Sequence, residues 1–258
     1  MVVSLMRRSS ERTNGAASRR RLTLDIAETP TYAIGDVHGC YDLLVELEER
    51  LVADAARLPG RKLIVMLGDY IDRGPSSARV ITHLMRPPPA EFDRICLTGN
   101  HEISMLDYVD GEISLEEWFR LGAEKTLNSY GLDPRHLESQ YPSKKKRDAF
   151  IRASLPSDHI AFLRDLPIFL DTPSALFVHA GIDPERPIAD QSDADLVFIR
   201  SRFSESERVL PKLIVHGHTP VDAPETGHLR LNIDTGAFAS GKLTAARIWG
   251  GRVQVTST

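Results

Sequence analysis

Short apolar runs alternate with amphipathic stretches along this chain. Thr31-Tyr32-Ala33-Ile34, Leu63-Ile64-Val65-Met66-Leu67 and Ile95-Cys96-Leu97 are compact and apolar, the pattern of strands buried on both faces. Between the first two, Leu43, Leu47 and Leu51 recur at four-residue spacing, joined by Leu44 and Val52. Glu46, Glu48, Glu49 and Arg50 take the other faces, which predicts a helix from about Tyr41 to Arg57, ended by Pro59-Gly60. A second helix is predicted from about Ser76 to Met85, stopped by Pro87-Pro88-Pro89. Strand, helix, strand, helix, strand implies an α/β fold with a largely parallel sheet.

Residues 103 to 170 break that rhythm and read as a helical insertion. Ser114-Leu115-Glu116-Glu117 is a capping-box signature and predicts a helix through Leu127, with Gly131 and Pro134 as punctuation. Ser143 is a cap for a helix containing Lys144-Lys145-Lys146-Arg147, and Ser157 for one from His159 to Leu166 before Pro167. The basic run reads as a solvated helix face, the commoner use of such a run, rather than as a dock for phosphorylated substrates. Strands return at Leu176-Phe177-Val178, Leu213-Ile214-Val215 and Leu229 to Ile233. Lys242 to Trp249, Gly250-Gly251 and Arg252 to Val255 predict a C-terminal hairpin.

Composition narrows the class. The 258 residues, 41% hydrophobic and 26% charged, suit one large domain carrying an insertion. A net charge of −4 gives no sign of a nucleic-acid partner. No apolar run approaches the roughly 20 residues a membrane span needs. Cys40 and Cys96 each sit beside a site motif, and two lone thiols fit a reduced, cytoplasmic protein. Cys96 is a core residue in a strand, and Cys40 reads as a packed bystander. Residues 1 to 28 hold Arg7, Arg8, Arg12, Arg19, Arg20 and Arg21, with Glu11 as the one acid before Asp25. They read as a mobile basic tail ahead of a catalytic domain spanning residues 29–258.

Five of the apolar runs end in the same grammar. Gly35-Asp36-Val37-His38-Gly39, Gly68-Asp69-Tyr70-Ile71-Asp72-Arg73-Gly74, Gly99-Asn100-His101-Glu102, His179-Ala180-Gly181 and His216-Gly217-His218 each follow a strand. Ligands in layered α/β folds bind outside the carboxyl ends of strands. Carboxylates, imidazoles and an amide, with no thiolate required, suit manganese, iron or zinc better than calcium or copper. Asp36 and His38 flank one residue and can face one ion. Asp69 has two oxygens and can bridge two.

Taken in order, these five motifs resemble the calcineurin-like metallophosphoesterases. The narrower likeness is to the bacterial and phage branch of the serine/threonine phosphoprotein phosphatases, from about Ala33 to Leu243. Trp118, Thr126 to Gly131 and Asn232 to Gly236 also look like that branch. The resemblance implies a β-sandwich flanked by helices in four αββα layers, and phosphomonoester hydrolysis by a hydroxide generated at two divalent ions, manganese first. It implies that Asp36, His38 and Asp69 hold one ion, and that Asp69, Asn100, His179 and His218 hold the other. His101 becomes the general acid oriented by Asp72, and Arg73 and Arg200 the phosphate clamp. Phe198 stands where the family usually has tryptophan, and Arg202 is near enough to share the role of Arg200. His216 falls off the ligand positions. The leading substrate is a phosphorylated protein or peptide. Symmetrical hydrolysis of a dinucleoside tetraphosphate is the alternative, and a non-catalytic metal-bound scaffold comes third. A monomer or weak oligomer is expected.

Overall fold

The computed structural model describes residues 18–26 and 28–258. Its first half runs β1 (Arg21–Thr23), β2 (Thr31–Ile34), α1 (Tyr41–Ala55), β3 (Lys62–Met66), α2 (Ser77–Leu84) and β4 (Phe92–Cys96). Six helices follow: α3 (Asn100–Asp110), α4 (Leu115–Phe119), α5 (Ala123–Ser129), α6 (Pro134–Gln140), α7 (Lys144–Ser154) and α8 (Ser157–Asp165). The second half runs β5 (Phe169–Asp171), β6 (Ala175–Val178), α9 (Asp193–Phe198), α10 (Ser201–Ser204), β7 (Leu213–His216), β8 (Glu225–Gly227) and β9 (Arg230–Asn232). It closes with α11 (Ala237–Ser240), β10 (Thr244–Trp249) and β11 (Arg252–Ser257).

Two sheets stack face to face. One has the order β11-β10-β2-β3-β4, the other β1-β5-β6-β7-β9-β8. β2, β3 and β4 are mutually parallel, while the C-terminal hairpin adds its strands antiparallel. Strand alternation explains the layering. In β3, Leu63 and Val65 face the interior between the sheets, while Ile64 and Met66 face the helices. In β6, Ala175 and Phe177 take the same interior, while Leu176 and Val178 face α9 and α10. Three cores therefore separate four layers, helix–sheet–sheet–helix, the architecture expected from the resemblance. No helix among the described residues is long and apolar enough to cross a membrane.

Three local expectations need correction. The basic segment does not stay off the body as far as residue 28. Residues 1–17 of it lie outside the described residues, but β1 pairs in parallel with β5. Arg19 and Arg21 bond to Asp193, and Leu22, Leu24 and Ile26 pack on the interior between the sheets. Those three residues alternate with polar ones, a strand period masked by the arginines before them. Second, the helix predicted from Ser114 through Leu127 is two helices. The Ser114–Glu117 capping box forms, but Gly122 breaks the helix at φ +97°. Its carbonyl accepts a bond from the Arg73 amide, and a Cβ there would stand 3.0 Å from that nitrogen. The break thus lets the insertion lean on the turn after β3. Third, Pro156 caps α8, which begins at Ser157.

Candidate metal centre

The ends of β2, β3 and β4 from one sheet meet the ends of β6 and β7 from the other. Asp69 leaves β3 at the middle of this meeting point. Its Oδ2 lies 3.6 Å from His38 Nε2 and 3.7 Å from His101 Nε2. Its Oδ1 lies 3.4 Å from His179 Nε2. Two metal-capable groups result, His38–Asp69–His101 and Asp69–His179–His218, and Asp69 belongs to both. Asn100 Oδ1 is 2.9 Å from His179 Nε2, which is 3.2 Å from His218 Nδ1. Gly68, at φ +104°, allows the close approach, since a Cβ there would stand 2.7 Å from the Gly99 nitrogen.

Asp36 lies outside both groups. Its Oδ2 accepts a bond from the His218 amide at 3.1 Å, and its Oδ1 is buried without a partner. His101 Nε2 and His218 Nε2 are also buried and unpartnered. Three orphaned polar atoms in one pocket are rare in a folded protein unless something is bound between them.

The tautomers fit ligation. His38 Nδ1 donates to the Ile71 carbonyl at 2.8 Å, and His179 Nδ1 to the Leu67 carbonyl at 3.0 Å. A carbonyl only accepts, so both rings present an Nε2 lone pair to Asp69. The Asn100 side-chain amide converges on the same His179 Nε2 at 2.9 Å, so amide, imidazole and carboxylate face one point. Burial outweighs the pull of Asp69 and drives His38 down to about 3; it lowers His179 and His218 as well. Neutral imidazole is the ligating form. Burial, then Asp234 and Asp69, pushes Asp36 well above the carboxylate range. Asp69 goes the other way, its burial overcome by His179, His101 and His38. The carboxylates crowd one another enough that positive charge from outside the chain is the natural complement.

His101 differs from the other imidazoles. Its Nδ1 is 2.8 Å from Asp72 Oδ2. Asp72 also accepts from Trp118 Nε1 at 3.2 Å and from Thr126 Oγ1 at 2.6 Å, and it is fully buried. Burial pulls the His101 pKa down, but Asp69 and the Asp72 bond outweigh it and the net shift is upward. By distance His101 joins a metal group, but it differs from His38 and His179 in having a carboxylate, not a backbone carbonyl, on its Nδ1.

Arg73 is half-buried, its guanidinium 4.8 Å above the Phe238 ring. Arg200 is exposed and reaches Thr219 Oγ1 at 3.3 Å. Arg202 ion-pairs with Asp183, so it does not share the role of Arg200. His216 is in neither metal group; burial pushes it down to about 4, and it packs edge-on against Phe203. Cys40 is half-buried, and burial pushes its thiol up to about 11, the inert form.

Three residues at the centre went without a role in the sequence reading. Glu102 is buried and accepts from the amides of Asp69, Tyr70 and Gly99 at 2.7–2.9 Å, holding two ligand-bearing turns together. Burial and Asp69 push it up to about 7. Its signal was its place in Gly99-Asn100-His101-Glu102. Asp234 lies two residues beyond β9, accepts from the Gly236 amide at 2.9 Å, and is pushed by burial up to about 6. Phe238 touches both His38, ring to ring at 5.3 Å, and Arg73, and nothing in its local pattern announced it.

The sequence profile of the calcineurin-like phosphoesterases matches residues 29–234, and the chain belongs to that family. It is a metallophosphoesterase of hydrolase type. The chain is 28% identical over 238 residues to the bis(5'-nucleosyl)-tetraphosphatase PrpE [asymmetrical] of Halalkalibacterium halodurans, covering 83% of this chain and 88% of the relative. The same-named protein of Oceanobacillus iheyensis is 27% identical, with 83% and 86% covered. Among solved structures, a proposed diadenosine tetraphosphatase superposes with a TM-score of 0.62 at 21% identity, covering 93% of this chain and 98% of that one. A cold-active protein-tyrosine phosphatase of a psychrophilic Shewanella superposes with a TM-score of 0.55 at 16% identity, covering 91% and 81%. The two structures share the fold.

Proposed function

We propose that this chain hydrolyses dinucleoside tetraphosphates, and does so asymmetrically, giving a nucleoside triphosphate and a monophosphate. The observation that carries this reading is the likeness to the PrpE relatives, which covers 83% of this chain and 86–88% of theirs. It displaces phosphoprotein hydrolysis as the leading substrate, and asymmetrical cleavage replaces the symmetrical kind.

In this reading Asp36, His38 and Asp69 hold one divalent ion, and Asp69, Asn100, His179 and His218 hold a second, manganese being our first candidate. Such a pair supplies Lewis-acid charge and a water of lowered pKa. The chain does the rest. Glu102 fixes the Asp69 and Asn100 turns. Arg73 and Arg200 pair with non-bridging phosphate oxygens through planar forks that lysine cannot copy. Asp72, held by Trp118 and Thr126, keeps His101 cationic, and His101 passes the Nε2 proton to the departing oxygen.

One observation favours a second reading, a phosphomonoester or phosphoprotein phosphatase. The buried His101–Asp72 pair at 2.8 Å is most useful when the leaving oxygen is a basic alkoxide. Chromatography of the products, with metal added, separates the readings. Triphosphate plus monophosphate from a dinucleoside tetraphosphate, at a higher kcat/KM than on phosphoserine peptides, is the expected result. Two diphosphates, or a preference for the peptides, would overturn it.

A further inference from the structure

A cleft of about 390 Å³ opens beside the candidate metal centre, between α10 and the β8–β9 hairpin. Arg200, Phe203, His216, His228, Arg230 and Asn232 are among its walls. Its inner end is tied to the site. Thr219 follows the candidate ligand His218; its hydroxyl accepts from Arg200, and its carbonyl accepts from Asn232 Nδ2 at 2.8 Å. β7 and β9 run parallel with Ile214 opposite Arg230 and His216 opposite Asn232. Arg230 therefore lies on the same face as His216, two residues back along the strand, about 7 Å from its level.

Arg230 is, with Arg147, one of two buried arginines among the described residues. It is only 9% exposed. Its Nη2 donates to the Ser206 carbonyl at 2.8 Å, its guanidinium lies 4.9 Å from the Phe203 ring centroid, and its Nε is buried without a partner. Among the described residues no carboxylate pairs with it. Arg94, whose side chain is 4% exposed, is bound to Glu48 at 2.7 Å. Glu225, on the exposed β8, is the one carboxylate among the residues lining the cleft. A buried cation without a counter-charge is costly, and a ligand anion removes that cost. The other obvious occupant, a nucleobase, would stack best on an open Phe, Tyr or Trp face. Phe203, the one such residue in the lining, is 1% exposed beneath Arg230 and offers none.

We infer that this cleft is a polyphosphate subsite: Arg200 grips the phosphate under attack, and Arg230 receives a phosphate further along the same chain. This rests on the anhydride reading above, because a phosphomonoester has no second phosphate to place there.

The test compares inorganic tripolyphosphate with orthophosphate as inhibitors of p-nitrophenyl phosphate hydrolysis by the full-length protein under saturating metal. Arg230→Gln keeps a donor for the Ser206 carbonyl and removes the charge. The ratio of the tripolyphosphate to the orthophosphate inhibition constant should rise roughly tenfold or more, the scale of one charge-assisted contact. Arg230→Lys should bring the ratio part of the way back. A structural Arg230 would move both constants together, so an unchanged ratio overturns the subsite. A measurement on the unsubstituted protein guards against a variant that fails to fold: tripolyphosphate should raise its melting temperature more than equimolar orthophosphate does. Equal rises also overturn the inference. The functional reading is judged separately, by products from a dinucleoside tetraphosphate. No hydrolysis alongside a shifted ratio would sink the anhydride reading and keep the anion cleft. Asymmetrical hydrolysis alongside an unmoved ratio would sink the cleft alone.

Discussion

Substitution of Asp72 by asparagine isolates one charge at the centre. Asp72 Oδ1 accepts from Thr126 Oγ1, and Oδ2 accepts from His101 Nδ1 and Trp118 Nε1. An asparagine can set its amide oxygen towards His101 and Trp118 and its NH2 towards Thr126. The threonine hydroxyl can rotate to accept, because it already accepts from the Asp72 amide at 2.8 Å and pairs with Ser77 Oγ at 3.0 Å. Asp72→Asn therefore keeps the frame and turns a charge-assisted bond into a neutral one. The difference is about 1–2 kcal/mol, or roughly 5–30-fold in stabilising the imidazolium. His101→Asn removes the acid itself and should cost about 10²–10⁴-fold. Both losses should appear with a phosphoserine peptide, whose alkoxide cannot leave unprotonated. They should shrink with p-nitrophenyl phosphate, whose phenolate can. Steady-state kcat/KM for both substrates, with metal content by elemental analysis on the same preparation, is the assay. Equal losses on the two substrates, or a parallel loss of metal, would refute the general-acid role and return His101 to the metal group it joins by distance.

Three further outcomes are expected. Asp69→Asn should weaken both ions together, because its two oxygens face separate groups, and retention of two ions per chain at unchanged affinity would end the bridging role. Deleting residues 1–28 should lower stability by about 2–4 kcal/mol relative to deleting 1–17, since it strips β1 with half-buried Leu22, Leu24 and Ile26 from the body; equal melting temperatures would contradict this. Glu48 is buried against His83 and Arg94; its burial is outweighed by those partners, so its folded pKa lies below its unfolded value and its contribution is present above that unfolded value and lost as pH falls through the folded one. Glu48→Gln should cost about 3–5 kcal/mol at pH 7 by leaving Arg94 unpaired, and melting curves should show the gap to the unsubstituted protein closing below about pH 4.

The layers and the donor residues were legible because each obeys a local rule. Leu63 to Leu67 is apolar at every position, as a strand covered on both faces must be, and Asp69 follows at its carboxyl end. The Gly122 break was not legible, because a glycine in a helical pattern is tolerated more often than it breaks one. Its reason lies in Arg73, 49 positions away in sequence. β1 was hidden differently: Leu22, Leu24 and Ile26 alternate correctly, but only β5, almost 150 residues later, supplies the neighbour that makes the alternation a strand. Glu102 and Asp234 were hidden because their duty is to hold backbone amides and like charges at a place that exists only after two sheets have met.

Backbone strain marks the same place independently of side-chain chemistry. Eight non-glycine residues among those described have positive φ, and five of them are His38, Asp69, Asp72, Arg73 and His218. Such conformations cost of order 1–3 kcal/mol each and persist when the surroundings over-determine them. Glycine or asparagine would relieve that strain, so a sequence shaped by stability alone would not put imidazole, carboxylate and guanidinium there. Strained turns hold these side chains where two sheets end. Two of the other three are His228 and Leu229, at φ +48° and +61°, in the tight turn joining β8 to β9, where Asn-Gly would sit more easily. That turn forms one wall of the cleft that Arg230 lines. The strain therefore continues from the metal-capable groups into the cleft, as expected if the two are consecutive stretches of a single binding surface for a chain of phosphates.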